Sequence, residues 1–144
     1  MSIKENKDLA ERLSADVWNA KHRDVIDELI APNCVFHAGD REFRGPRGYR
    51  TFFDTYVRAF PDLSLQVNDL IAEGDFVVTA YTARGQHTGP LMGIAPTGKL
   101  VKVRGVTIAR YKNGMMVEGD TLWNEMSLMQ QIEAVSKSIT RKVA

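Results

Sequence analysis

Apolar positions recur at helical spacing in the first part of the chain and alternate in the second. From about Lys4 to Asn19, Leu9, Leu13, Val17 and Trp18 fall on one side, which predicts an amphipathic helix. A short second helix is expected over Asp24–Ile30, after a turn at Lys21–His22–Arg23 and ended by Pro32. Cys34–His37 reads as a short strand with Cys34 and Phe36 on one face and Val35 and His37 on the other. A polar loop holding Gly39, Asp40 and Gly45 should follow. Pro46 then opens a helix to about Phe60, whose stripe of Tyr49, Phe52, Phe53, Tyr56 and Phe60 is core against a sheet, with one or two rings reaching a cavity.

The rest reads as strand: Leu63–Ala72, Asp75–Arg84, Val101–Tyr111 and Met115 to about Trp123, with hairpin turns at Glu73–Gly74 and Asn113–Gly114. Asn124 is placed to N-cap a closing helix through about Val135, and the tail from about Ser136 is expected to fray. Helices first and a meander of long strands later argue for one α+β domain over residues 1–144, with its core at about 5–135. One crossing between strands is long. Gly85–Gly98 reads GQHTGPLMGIAPTG, and its glycines and prolines exclude helix and uninterrupted strand. It carries His87, Leu91, Met92 and Ile94, and reads either as the rim of a cavity or as a connector with a buried structural histidine.

Strand register decides which side chains share a face. In Val101–Tyr111 the odd positions are small and mostly apolar, including Gly105, Thr107 and Ala109. In Met115–Trp123 they include Gly119, Thr121 and Trp123, while Glu118, Asp120 and Leu122 face the other way. A three-residue loop, Lys112–Asn113–Gly114, keeps odd with odd. A two-residue loop pairs Lys112 with Met115 and sets Asp120 opposite Thr107. One residue of register thus decides whether Asp120 faces a pocket.

Composition narrows the function classes. The chain has 144 residues, 44% hydrophobic, with a net charge of +1, which carries no nucleic-acid footprint. No apolar run approaches a membrane span, and the opening MSIKENKD has no signal-peptide core. Cys34 is the sole cysteine, so an internal disulfide is excluded and a reducing cytoplasm fits. The three histidines are dispersed and offer no metal-ligand spacing. Gly93–Lys99 has the spacing of a phosphate loop, but Leu100 stands where Ser or Thr should be, and a β-run follows instead of a helix. The expectation is a soluble cytoplasmic domain with no cofactor, no metal, and neither nucleic acid nor membrane as partner.

Four stretches carry a resemblance: AFPDL (Ala59–Leu63), AEGD (Ala72–Asp75), GQHTGPLMGIAPTGK (Gly85–Lys99) and NGMMVE (Asn113–Glu118). In order and spacing, from about Trp18 to Gln131, the chain resembles the SnoaL-like polyketide cyclase and ester cyclase family, within the nuclear-transport-factor-two-like superfamily. The resemblance implies a cone-shaped, mostly antiparallel sheet curved around the helices, with the Trp18 helix covering the mouth of a small-molecule pocket. It matches His37 to a histidine common in the family at that strand end. It also implies an aspartate on the last strand as general acid/base, assisted by a histidine on the preceding strand. Ungapped, those positions fall at Thr121 and Thr107, so neither catalytic side chain stands at its family place.

Proton abstraction beside a carbonyl needs a base, a dry site, and a donor where enolate charge develops. Asp120, desolvated among Met, Trp and Tyr, with His37 or His87 and Tyr81 as donors, could supply that set. Alternatively, Asp120 and Glu118 pair with Arg104 and Arg110 on the outer face. The candidate pocket comprises Trp18, Phe36, Tyr56, Tyr81, Met92, Thr107, Thr121 and Trp123. The expected function is cofactor-independent acid/base chemistry on a small apolar oxygenated substrate, with polyketide-type aldol cyclisation first. Hydrolase, isomerase, dehydratase or hydroxylase chemistry, or a non-catalytic binding module, are the alternatives. If odd stays with odd, Val106, Ile108 and Leu122 lie outside among charges, and a homodimer through the convex face is expected.

Overall fold

The computed structural model describes residues 2–132, and the change of period becomes two layers, helices against a curved, unclosed six-stranded sheet. The limit of the closing helix at Val135 and the tail from Ser136 lie outside the described residues. Helix α1 (Ile3–Arg12) starts at a capping box: the Ser2 hydroxyl accepts from the Glu5 N–H, and the Glu5 side chain returns to the Ser2 backbone. The helix continues as a π-helical run, Leu13–Asn19, closed by the Ala20 N–H on the Ala15 carbonyl at 2.9 Å. The run buries Leu13, Ser14, Val17 and Trp18 together, which continues the inward stripe begun at Ala10.

A 3₁₀ turn at Arg23–Val25 and α2 (Ile26–Leu29) lead straight into β1 (Ile30–Ala38). This strand begins four residues before the expected Cys34. Where a polar loop was expected, Arg41–Arg44 forms β2 and pairs antiparallel with β1, Val35 facing Arg44 and Ala38 facing Arg41. Then come α3 (Gly45–Ala59), β3 (Ser64–Glu73), β4 (Phe76–Gln86), β5 (Leu100–Lys112), β6 (Met115–Trp123) and α4 (Glu125–Gln131). The Asn124 side chain accepts from the Ser127 N–H at 2.9 Å and caps α4 as expected. The sheet order is β2-β1-β6-β5-β4-β3, with β1 parallel to β6 and every other pair antiparallel.

The β5–β6 hairpin settles the register. Asn113 and Gly114 both have positive φ, 52° and 80°, the geometry of a two-residue type I′ turn, and Lys112 faces Met115. A bulge at Val117 then slips the pairing by one, so Thr107 faces Thr121 and Ile108 faces Asp120. The turn follows one expectation and the pairing beyond it follows the other. The β3–β4 hairpin turns on Gly74–Asp75, with Glu73 facing Phe76, one residue later than expected.

Across the inner face lie Phe36 of β1, Thr121 of β6, Thr107 of β5 and Thr79 of β4, and α3 packs its aromatic stripe onto Phe36 and Trp123. Tyr49, Phe52, Phe53 and Tyr56 are all buried there. Two inner-face glycines make room for aromatic rings. A Cβ on Gly119 would come within 3.0 Å of the Phe36 ring, and one on Gly105 within 2.4 Å of the Tyr81 hydroxyl.

Candidate active site

Between the sheet and α3 lies a cavity of about 110 Å³, roughly ten times the 10–15 Å³ that admits one water. Its wall is mainly apolar, and all four tyrosines and both tryptophans of the chain stand on it: Tyr49, Tyr56, Tyr81, Tyr111, Trp18 and Trp123. Leu13, Ser14 and Trp18 of the π-helical run close one side, so the irregular helix places three wall residues within two turns. No carboxylate and no imidazole lies on the wall among the described residues; Arg84, bonded to Gln66 at 2.9 Å, is the charged group there.

The polar part is a chain of hydroxyls. Thr107 Oγ1 donates to Thr121 Oγ1 at 2.9 Å, and Thr121 Oγ1 lies 2.7 Å from the Tyr81 hydroxyl. Register creates it: Thr107 and Thr121 are directly paired, and Tyr81 sits opposite Gly105, over which its ring can lie flat. Burial raises the Tyr81 phenol above its ordinary value, the two threonine bonds pull partly back, and nearby Tyr56 adds to the rise. Burial likewise pushes up Tyr49, whose oxygen accepts from Trp18 Nε1 at 2.9 Å; Tyr111 and Tyr81 are close enough to oppose its ionisation. Tyr111 is raised by burial too. The four phenols are therefore neutral hydrogen-bonding groups at neutral pH, converging from three elements.

At the rim, Arg41 Nη2 donates to the Tyr56 hydroxyl at 2.5 Å. Its guanidinium carbon lies 5.6 Å from the Tyr56 ring centre and 5.9 Å from that of Trp123. Burial raises the Tyr56 phenol, the Arg41 bond and charge pull it back, and Glu125 raises it.

Of the expected pocket residues, Trp18, Phe36, Tyr56, Tyr81, Thr107, Thr121 and Trp123 stand on the wall. Met92 does not: it is 50% exposed and meets Arg41 Nη1 through its sulfur at 3.3 Å. None of the three expected acid/base residues reaches the cavity. The Val117 bulge turns Asp120 outward, where its side chain is 63% exposed and lies 3.5 Å from His37 Nδ1. His37 also meets Glu42 at 3.3 Å on that outer face, because alternation along β1 sends Phe36 in and His37 out. The outer ion pairing expected for Glu118 with Arg110 is present, but Asp120 pairs with His37 rather than with an arginine.

His87 is fully buried, but within its own loop. Its Nδ1 lies 2.9 Å from Thr97 Oγ1 and accepts from the Thr97 N–H at 3.2 Å, and its ring packs on Phe60. Burial lowers its pKa, which keeps it neutral. The loop is a strap over the end of α3 more than a rim. Thr88 and Gly89 both donate to the Ala59 carbonyl at 3.1 Å, satisfying a helix end, and a Cβ on Gly89 would fall 1.9 Å from the Arg58 oxygen. Sequence reasoning missed Ser14, Arg84 and Tyr111 as cavity groups, and Arg41 as the partner of the wall residues Tyr56 and Trp123. Tyr111 continues the odd face of β5, which was a usable signal.

The family model for SnoaL-like polyketide cyclase matches residues 8–132. The chain belongs to that family. Among solved structures, a candidate SnoaL-like polyketide cyclase from Jannaschia sp. CCS1 superposes with a TM-score of 0.87 at 26% identity, over 94% of this chain and 97% of that one. AclR, a candidate hydroxylase from Streptomyces galilaeus, gives 0.84 at 29% identity over 94% and 100%. IdmH, a candidate polyketide cyclase from Streptomyces antibioticus, gives 0.77 at 28% over 89% and 98%. No curated protein matches the sequence. In this SnoaL-like chain no described helix is long and apolar enough to cross a membrane.

Proposed function

We propose that this SnoaL-like protein folds a flat, apolar, oxygenated polyketide-type chain in its cavity and promotes an intramolecular aldol cyclisation without a cofactor. One observation carries the reading: hydroxyl donors converge in an apolar cavity whose wall, among the described residues, bears no carboxylate or imidazole. A methylene between two carbonyls is acidic enough to lose its proton to solvent hydroxide at the mouth. If Thr107 donates to Thr121 and Thr121 to Tyr81, the Tyr81 O–H is free to donate to the carbonyl oxygen on which enolate charge develops. In a dry site such a donor is worth far more than in water. The aromatic walls bring the enolate carbon against the second carbonyl carbon. The new C–C bond leaves an alkoxide, which takes a proton back from water.

The pH dependence tests this. The wall phenols are held above their ordinary value of about 10 and stay protonated through neutrality. With a synthetic 1,3,5-triketone as substrate, kcat/KM should rise steadily from pH 5 to 8 with hydroxide. A bell with both limbs inside that window would mean that a histidine or carboxylate transfers the proton, and would sink the reading.

The absence of a wall base among the described residues also suits a non-catalytic binding module, which would hold the triketone without product formation. The similarity to AclR supports hydroxylation as the other enzymatic alternative. We place the protein in the cytoplasm, whose reducing conditions fit a chain with a single, buried cysteine, Cys34.

The partner we propose besides the ligand is a second copy. Ile71, Phe76, Val106, Ile108 and Leu122 are exposed on the outer face of the sheet, Leu122 by 62% and Ile108 by 45%. Sedimentation should give twice the chain mass, and Ile108→Lys with Leu122→Lys should return it to one. A monomer at high micromolar concentration removes the dimer.

A further inference from the structure

Arg41 is a cation in an aromatic corner. One N–H is held by the Tyr56 hydroxyl, another by the Met92 sulfur, and the rings of Tyr56 and Trp123 flank the guanidinium. Arg12, Arg23, Arg44, Arg50 and Arg110 all meet carboxylates within 4.0 Å, whereas Arg41 meets none among the described residues. Glu125, whose charge is felt at the Tyr56 phenol, forms no ion pair with Arg41. Half-buried between rings and a thioether, the guanidinium has five N–H donors in a planar fork, of which the structure pairs two with protein groups. Tyr56 and Trp123 are also cavity walls, so the Arg41 guanidinium stands against two rings that border the cavity, while Arg84 is the cation on the wall itself.

We propose that Arg41 is the anion-recognising residue of the site and that the ligand is a flat apolar molecule ending in a free carboxylate. A planar, singly charged group matches the fork in a bidentate manner. This inference rests on the reading of the cavity as the substrate site, and it makes that substrate an acid rather than an ester or amide. The apolar body is chosen by the aromatic walls, and orientation is chosen by Arg41, which fixes the end of the chain that reaches Tyr81.

Calorimetric titration of the intact protein with 2-naphthoate and its uncharged twin 2-naphthamide tests the proposal. The wild type should bind the carboxylate at least tenfold more tightly. Arg41→Gln should weaken the carboxylate about tenfold and leave the amide unchanged, while Arg41→Lys keeps the charge without the fork and retains part of the preference. Equal binding of both probes by the wild type overturns the anion site and leaves the cavity reading standing. An undiminished preference in Arg41→Gln also overturns it. Binding of neither probe overturns the cavity reading and this inference together.

Discussion

Tyr81→Phe should lower kcat by about 10²–10³-fold, the usual loss when one donor to a developing oxyanion is removed, with KM little changed. The substitution keeps the ring and deletes only the hydroxyl, which lies 2.7 Å from Thr121. Gly105→Ala should reproduce the loss from the neighbouring strand. Its new Cβ would stand 2.4 Å from the Tyr81 oxygen and 2.5 Å from the carbon bearing it, so the ring must swing off the sheet. Asp120→Asn serves as the control. Its exposed carboxylate lies 3.5 Å from His37 on the outer face, an arrangement of small energetic weight, and turnover should stay nearly unchanged. Single-turnover measurements separate chemistry from binding. A Tyr81→Phe variant that loses only affinity, or an Asp120→Asn variant that loses turnover, would remove the hydroxyl chain from the mechanism.

The contrast between Tyr81 and Asp120 shows where the sequence stops being readable. Alternation correctly put Gly105 with Thr107 on one face of β5 and Thr121 with Trp123 on one face of β6, because burial on one side imposes period two on the side chains, but it left open whether those faces join. The Asn113–Gly114 pair announced its turn through the positive φ that only a few residues accept cheaply. The bulge at Val117 left no such mark. It exists because the inner-face residues of β5 and β6 must meet after an even turn, and that requirement lies in the whole sheet rather than in any local pattern. Arg41 was hidden differently: Arg41–Arg44 has one apolar residue in four, so only its pairing with β1 makes it a strand. His87 was conspicuous in its motif, yet its bonds to Thr97 and its contact with Phe60 are tertiary, and they turn it into a loop anchor.

The fold itself depends most on Phe52, and Phe52→Ala should cost about 3–5 kcal/mol of stability, the range for emptying a buried phenylalanine site. The ring is 6% exposed and lies 5.1–6.2 Å, centre to centre, from Trp18, Phe36, Phe43, Tyr49, Tyr56 and Trp123. These neighbours come from α3, the π-helical run and three strands, so the one side chain ties both layers together. Edge-on and tilted packing adds a directional term to the lost apolar area. Collapse around the vacancy is resisted, because the sheet is fixed by its ladders and Phe52 already borders a cavity. For a chain of this size the loss corresponds to a fall in melting temperature of roughly 10–20 °C. Urea unfolding at fixed protein concentration measures it, with Trp18 and Trp123 as reporters because both rings touch Phe52. Phe52→Leu, which refills most of the volume, should lose clearly less than the alanine variant. A loss below about 1 kcal/mol in Phe52→Ala would mean that the aromatic cluster is a cavity lining that tolerates vacancy, and that the two layers are held by the aliphatic contacts around Ile26, Ile30 and Met116 instead.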